Sequence, residues 1–203
     1  MVTLIDYGVG NLGSILNMFK KIGVPVTTAS DAAGIDRARK ILLPGVGAFD
    51  AAIKRIDELG LRQALDRKAL VDKIPILGVC LGMQLLTRSS EEGKLPGLAW
   101  IPADTRAFRG KLDSSWKIPH MGWNQVRQSR PSGLTRELPG DSRFYFVHSY
   151  YVKCDSTEDS ILEASYGLEF TAALQRGNIF GAQFHPEKSH KFGMRLLKNF
   201  GEL

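Results

Sequence analysis

Apolar positions along the first half of the chain alternate between two patterns. Val2 to Asp6 is a short apolar run that reads as a buried strand. Leu12, Ile15, Leu16, Phe19 and Ile22 then recur at helical spacing until Gly23 ends the helix, and a second strand follows from Pro25 to Thr28. Ile41 to Leu43 is a further strand, stopped by Pro44-Gly45-Val46-Gly47, after which Phe49, Ala52, Ile53 and Ile56 mark another helix and Ile74 to Val79 another strand. Short apolar strands alternating with helices predict a parallel sheet covered on both faces. The second half changes character: Leu98 to Ile101, Phe144 to Val152, Ile161 to Ala164, Phe170 to Gln175 and Ile179 to Phe184 read as closely spaced strands that extend the sheet as hairpins. A last helix carries Phe192, Leu196, Leu197 and Phe200 on one face. The expected fold class is therefore α/β, with a mixed, mainly parallel central sheet and helices on both faces. No internal repeat, low-complexity segment or linker interrupts the 203 residues, so residues 1–203 are expected to form one domain.

One junction in this pattern carries chemistry. The strand ending Ile76-Leu77-Gly78-Val79 runs into Cys80-Leu81-Gly82 and then into the helical Met83, Gln84, Leu85 and Leu86. Glycines on either side of Cys80 allow a sharp strand-to-helix turn and close backbone approach, the geometry of a nucleophile elbow with a thiol at its tip. Cys80 is expected to be presented rather than packed. A thiol attacking an acyl carbon needs a base, and the base needs a group that holds its tautomer. His185-Pro186-Glu187 follows the strand ending at Phe184, and in an extended segment positions i and i+2 project to the same side, so His185 and Glu187 can serve one site. A lone histidine is more often structural, but a neighbouring carboxylate and a thiol elbow in the same chain outweigh that reading. His120, His148 and His190 lack such a carboxylate, although His148, in Phe146-Val147-His148-Ser149-Tyr150, is placed to line a pocket.

Attack develops negative charge on the carbonyl oxygen, and one well-placed donor there is worth about 2.7–4 kcal/mol. The N–H of Leu81, directly after the nucleophile, is the first candidate; the loop Gly45-Val46-Gly47 is the second, with Val46 and Gly47 as donors.

Composition narrows the rest. Two cysteines, Cys80 and Cys154, far apart in sequence, give neither a disulfide framework nor a paired zinc motif, which fits a reducing cytoplasm. The chain starts without a basic leader, and its longest uncharged apolar stretch, Pro75 to Leu86, is too short for a bilayer, so no membrane is expected. The net charge of +6 is spread along the chain without an aromatic platform, which argues against nucleic acid. Only Arg106, Arg109, Lys111 and Lys117 concentrate basic charge, in a segment suited to an acidic partner or a phosphate. One motif competes: Gly8-Val9-Gly10-Asn11-Leu12-Gly13 matches the dinucleotide fingerprint, with Asp31 downstream as the ribose partner. That reading leaves Cys80, His185 and Glu187 without a purpose.

The elbow Gly78-Val79-Cys80-Leu81-Gly82-Met83-Gln84, the loop Pro44-Gly45-Val46-Gly47 and the segment Gln183-Phe184-His185-Pro186-Glu187-Lys188-Ser189 resemble the class I glutamine amidotransferases. Asp6-Tyr7-Gly8-Val9-Gly10-Asn11, Pro119-His120-Met121-Gly122-Trp123-Asn124 and Tyr145-Phe146-Val147-His148-Ser149-Tyr150 narrow the resemblance to glutaminase subunits that serve a separate (β/α)8 barrel. The likeness spans nearly the whole chain, with Asp104 to Lys117 unmatched. It implies hydrolysis of glutamine to glutamate and ammonia by Cys80, His185 and Glu187, without metal or cofactor. Gly45, Gly47, Gln84, His148, Ser149 and Tyr150 would line the glutamine pocket. The ammonia would pass to the barrel subunit, the cyclase that makes imidazole glycerol phosphate in histidine biosynthesis. Asn11, Met121 and Trp123 would dock that barrel; large apolar groups of this kind are enriched at interface centres, and burial of Trp123 in the core is the lesser alternative. The same glutaminase could serve a paralogous synthase, and a cysteine peptidase or amidase would share Cys80 and His185. A dinucleotide-binding module is the outsider.

Overall fold

The computed structural model describes residues 1–203. Its sheet is built from two unlike halves. Strands β1 (Val2–Ile5), β2 (Val26–Ala29), β3 (Ile41–Leu43), β4 (Ile76–Val79) and β12 (Ile179–Ala182) lie parallel in the order β2-β1-β3-β4-β12. Beyond β12 the sheet turns antiparallel through β11 (Glu169–Arg176), β10 (Ser160–Ser165) and the short β7 (Arg127–Gln128). Two further strands, β5 (Ala103–Ala107) and β9 (Tyr150–Cys154), pair with each other, and β9 also joins β11. A separate two-stranded antiparallel ribbon pairs β6 (His120–Gln125) with β8 (Arg143–His148).

Helices cover both faces because the parallel strands are apolar on both. Successive residues of a strand point to opposite sides. Leu42 joins the core shared with α1 (Leu12–Lys21) and α6 (His190–Glu202), while Ile41 and Leu43 join the core under α3 (Phe49–Glu58), α4 (Arg62–Asp66) and α5 (Leu81–Leu85). No helix is long and apolar enough to cross a membrane.

Three sequence expectations fail on this half-and-half plan. Leu98 to Ile101 is not a strand: the N–H groups of Leu98, Trp100 and Ile101 bond to the carbonyls of Leu85 and Leu86 at the end of α5, and the buried Trp100 donates from its indole to Asp66 at 2.7 Å. Apolar character there reflects capping of a helix end. Phe144 to Val152 is not one strand but two, broken at Ser149, where the chain leaves the ribbon for the main sheet. Strands β5, β6 and β7 were not expected, because β5 buries only Ala103 and Thr105, β6 buries His120, and β7 is two exposed polar residues.

Candidate active site

The C-terminal ends of β4 and β12 bring the chemistry together. The two strands run in register, with Val79 opposite Ala182, and the Cys80 N–H extends the ladder by bonding to the Ala182 carbonyl at 2.7 Å. Cys80 then takes φ +55° and ψ −112° and caps α5. A non-glycine residue held there stores roughly 1–3 kcal/mol of strain, which the surroundings must over-determine. They do so by close approach: a Cβ on Gly82 would lie 2.0 Å from the Leu43 carbonyl oxygen, and one on Gly78 would lie 2.5 Å from the Gly82 oxygen. Only glycine permits this contact of strand, turn and helix.

Cys80 is 7% exposed, so it is less open than the expected tip of an elbow. Neighbouring loops wall it into a cavity of about 340 Å³, lined among others by Val46, Gly47, Leu81, Gln84, Glu92, His148, Ser149, Tyr150 and His185.

His185 is fixed from three sides. Its N–H donates to the Tyr145 carbonyl at 2.9 Å, its own carbonyl accepts from the Ser189 hydroxyl at 2.6 Å, and that hydroxyl accepts from the Tyr145 N–H at 3.0 Å. Its Nδ1 meets Glu187 Oε1 at 2.8 Å, both side chains being buried. The expected pairing is present by a different route. Pro186 to Lys188 form a 3-10 turn rather than an extended segment, and the turn folds Glu187 back onto the ring. Burial opposes the charged form of His185, but hydrogen bonds to Cys80 and Glu187 and the charges of both outweigh it and hold the imidazole up at about 9. The ring therefore carries a proton at neutral pH, between the thiol and the carboxylate.

The loop after β3 borders the same cavity. Val46 and Gly47 line it, Gly47 with φ +101°. The N–H of Leu81, at the first position of α5, lacks an acceptor within the helix. Gly45 does not line the cavity. It is packed under the elbow, where a Cβ would stand 2.8 Å from the Gly82 nitrogen. Tyr7, to which sequence reading gave no role of its own, anchors this loop: its buried hydroxyl donates to the Pro44 carbonyl at 2.5 Å, and burial, aided by the nearby Cys80, keeps the phenol protonated.

Gln84, His148, Ser149 and Tyr150 all lie on the cavity wall. Glu92 joins them. It accepts from the Phe49 N–H at 3.0 Å, and burial raises its pKa despite that bond. The acidic pair Glu91-Glu92 before Gly93 was the available signal, with nothing in its spacing to tie it to Cys80. Gln183, fully buried beside the thiol, was likewise missed as a site residue.

Other candidates have structural employment. Asn11 caps α1 by accepting from the Ser14 N–H at 3.3 Å. Asp31 caps the short helix α2 (Ala32–Asp36) by accepting from the Gly34 N–H at 2.7 Å, which gives it a structural role. Arg106 and Lys111 are paired with Glu91, and Arg106 also with Asp104, so two of the segment's four basic side chains are paired within the chain. Cys154 is half-buried, its thiol pushed up to about 11 by burial first. Met121 and Trp123 stand on the outer face of the ribbon, 61% and 46% exposed, so Trp123 is not core. No cluster of three or more His, Cys, Asp or Glu side chains is arranged to hold a metal ion.

Comparison with known proteins gives the family. The family described as glutamine amidotransferase class-I matches residues 3–202. The chain is 52% identical over 200 residues to imidazole glycerol phosphate synthase subunit HisH 2 of Methanococcus maripaludis, covering 98% of each chain. It is 48% identical over 205 positions to imidazole glycerol phosphate synthase subunit HisH of Bdellovibrio bacteriovorus, covering 100% of both. It superposes on a crystal structure of a glutamine amidotransferase with a TM-score of 0.78 over 100% of this chain and 98% of that one, at 14% identity, a likeness of fold.

Proposed function

The chain belongs to the class I glutamine amidotransferase family, and from that premise we propose that it is the glutaminase subunit of imidazole glycerol phosphate synthase, acting in histidine biosynthesis as one domain over residues 1–203 in the cytoplasm. The observation that carries the reading is the shared cavity lined by both strained Cys80 and His185, while Glu187 holds Nδ1 of that imidazole.

Cys80 sulfur attacks the side-chain amide carbon of glutamine, and the N–H groups of Leu81 and of the Val46–Gly47 loop receive the developing oxyanion. His185, already an imidazolium, gives its proton to the leaving nitrogen as the C–N bond breaks, so ammonia departs and a glutamyl thioester remains. The neutral imidazole then takes a proton from water; the resulting hydroxide attacks the thioester, glutamate leaves and the thiolate returns beside the imidazolium. Glu187 Oε1 fixes the Nδ1–H tautomer throughout. No metal or cofactor enters these steps.

Gly47, Gln84, His148, Ser149 and Tyr150 form the glutamine wall. Glu92 offers a carboxylate to the α-ammonium of the free amino acid. A glutamine inside a peptide has no such ammonium, which favours an amino-acid glutaminase over a peptidase. The ammonia passes to a (β/α)8 barrel cyclase subunit docked over Asn11, Met121 and Trp123, two of them large apolar side chains left exposed.

The test is Cys80→Ala in complex with the barrel subunit. Glutamine-dependent synthesis should disappear while synthesis from added ammonium salt continues. Glutamine-dependent turnover by the variant would overturn the assignment of the nucleophile.

A further inference from the structure

Between the nucleophile and the ribbon runs a buried chain of hydrogen bonds that the triad does not use. Gln183 Nε2 lies 4.0 Å from Cys80 Sγ, and its Oε1 accepts from Gln84 Nε2 at 3.1 Å. Gln84 Nε2 also donates to the Tyr150 carbonyl at 3.2 Å, and the same carbonyl meets His148 Nδ1 at 2.7 Å. His148 Nε2 meets His120 Nδ1 at 2.9 Å, His120 Nε2 meets Asn124 Nδ2 at 3.3 Å, and Asn124 Nδ2 donates to the Ser165 carbonyl at 2.9 Å. Gln183, Gln84, His148 and His120 are all buried.

The chemistry of the ends fixes the direction of every bond. A carbonyl oxygen can only accept, so His148 Nδ1 carries the hydrogen and its Nε2 is an acceptor. His120 Nδ1 must then donate, leaving its Nε2 to accept from Asn124, whose second amide hydrogen goes to Ser165. Each ring is neutral in one tautomer, and a further proton on His148 would set two donors against each other at 2.9 Å. Burial favours this state, holding His120 down to about 4 and His148 down to about 3. The His120 ring is also clamped, stacked on Phe146 with centroids 4.9 Å apart and on Tyr166 at 4.1 Å.

We propose that His120 is a positioning residue for glutamine hydrolysis: acting through His148, the Tyr150 carbonyl and Gln84, it sets the Gln183 amide against Cys80 Sγ and holds the Tyr150 wall of the pocket. The inference rests on Cys80 being the nucleophile of the proposed glutaminase. His120 itself touches neither the thiol nor the cavity, which is why a purely structural role is the reading to defeat.

Two substitutions separate these roles. His120→Phe keeps an aromatic ring between Phe146 and Tyr166 but removes donor and acceptor; His120→Gln restores one of each. Alkylation of the full-length chain by iodoacetamide is followed by mass spectrometry of the peptides carrying Cys80 and Cys154. Glutamine hydrolysis is measured in the complex, well below the melting temperature of each variant. His120→Phe should slow Cys80 alkylation and lower kcat by about tenfold, the worth of one buried hydrogen bond, and His120→Gln should recover most of both. Wild-type Cys80 rates in His120→Phe, with only a lowered melting temperature, would overturn the proposal, as would a His120→Gln variant no better than His120→Phe. Should His120→Phe fail to fold, Gln183→Met carries the same prediction from the other end of the chain. Wild-type Cys80 reacting no faster than Cys154 would instead sink the glutaminase reading on which the inference stands.

Discussion

The parallel half of the sheet and the separate antiparallel ribbon build the site by different physics. In the parallel half, β4 and β12 stand side by side with apolar residues throughout, and their adjacent C-terminal ends deliver Cys80 and the segment leading to His185. Location there comes from backbone: register, a strained turn and glycine contacts that admit no side chain. In the separate antiparallel ribbon, β6 alternates buried His120 and half-buried Asn124 with exposed Met121 and Trp123, and its contribution to the pocket travels through side-chain hydrogen bonds. In the proposed mechanism the parallel half presents the nucleophile, and the ribbon shapes what surrounds it. Rigid backbone places atoms that must react, whereas a polar network places groups that only need to hold.

The sharpest way to break this division is to remove a reacting group without touching the frame. His185→Gln should lower kcat for glutamine hydrolysis by about 10³-fold, within the span of general acid–base catalysis, in a variant whose circular dichroism spectrum is that of the folded wild type. A loss of tenfold or less would mean that the elbow and oxyanion donors do most of the work.

The frame itself should fail at Gly82. With a Cβ forced to within 2.0 Å of the Leu43 oxygen, Gly82→Ala must separate α5 from β3 and should cost about 3 kcal/mol or more in urea unfolding. Gly140, in the loop before β8, has nothing within 4 Å of an added Cβ, and Gly140→Ala should stay within about 0.5 kcal/mol. Equal effects would remove the argument that close approach defines the parallel half.

The same contrast explains what could be read before any coordinates were known. The elbow was legible because Gly78, Cys80 and Gly82 are local in sequence, and the parallel strands because Ile41 to Leu43 and Ile76 to Leu77 bury both faces. His185 and Glu187 were legible as a pair, although the extended backbone assumed for them is a 3-10 turn, since a spacing of two suits either geometry. Strand β6 was not legible, because a strand whose inward positions are His, Gly and Asn has no apolar alternation. Nor was the role of Gln183, whose amide finds partners 99 and 103 residues away. Glu92 was hidden for the same reason: its loop reaches the cavity by tertiary contact alone.

Histidine titration should split the halves by sign. His185, with its pKa raised to about 9 against an ordinary 6.5, contributes stability fully below 6.5 and loses it as pH rises toward 9. His120 and His148, lowered to about 4 and about 3, contribute no penalty above 6.5; as pH falls below it the unfolded chain binds protons that the buried rings refuse. Stability should therefore fall on both sides, with an acid slope of about 1 kcal/mol per pH unit for each of the two rings. In unfolding across pH, His185→Gln should flatten the alkaline limb alone and His120→Gln should soften the acid limb alone. Any crossing of these effects would show that the two groups are one coupled unit.

On the outer face of the ribbon, Trp123→Ala should leave stability within about 0.5 kcal/mol, since the indole is 46% exposed, yet weaken binding of the barrel subunit by about 2 kcal/mol if it is an interface anchor. Calorimetric titration with the barrel reads this directly. Unchanged affinity would move the docking face elsewhere.

The smallest expected effect tests the one motif that the parallel half shares with a different class of protein. Gly8 to Gly13 and Asp31 reproduce a dinucleotide fingerprint, but Asp31 Oδ1 is occupied by the Gly34 N–H at 2.7 Å and a Cβ on Gly8 would meet the Arg55 guanidinium at 3.4 Å. An N-cap is worth about 1 kcal/mol, so Asp31→Ala should lower stability by about that amount and leave glutamine hydrolysis untouched. If Asp31 instead held a ribose, the wild-type chain would bind a nicotinamide dinucleotide saturably and the variant would lose that binding with little change in stability. The two outcomes differ in stability and in dinucleotide binding, so the pair of measurements decides whether the carboxylate serves the helix or a ligand.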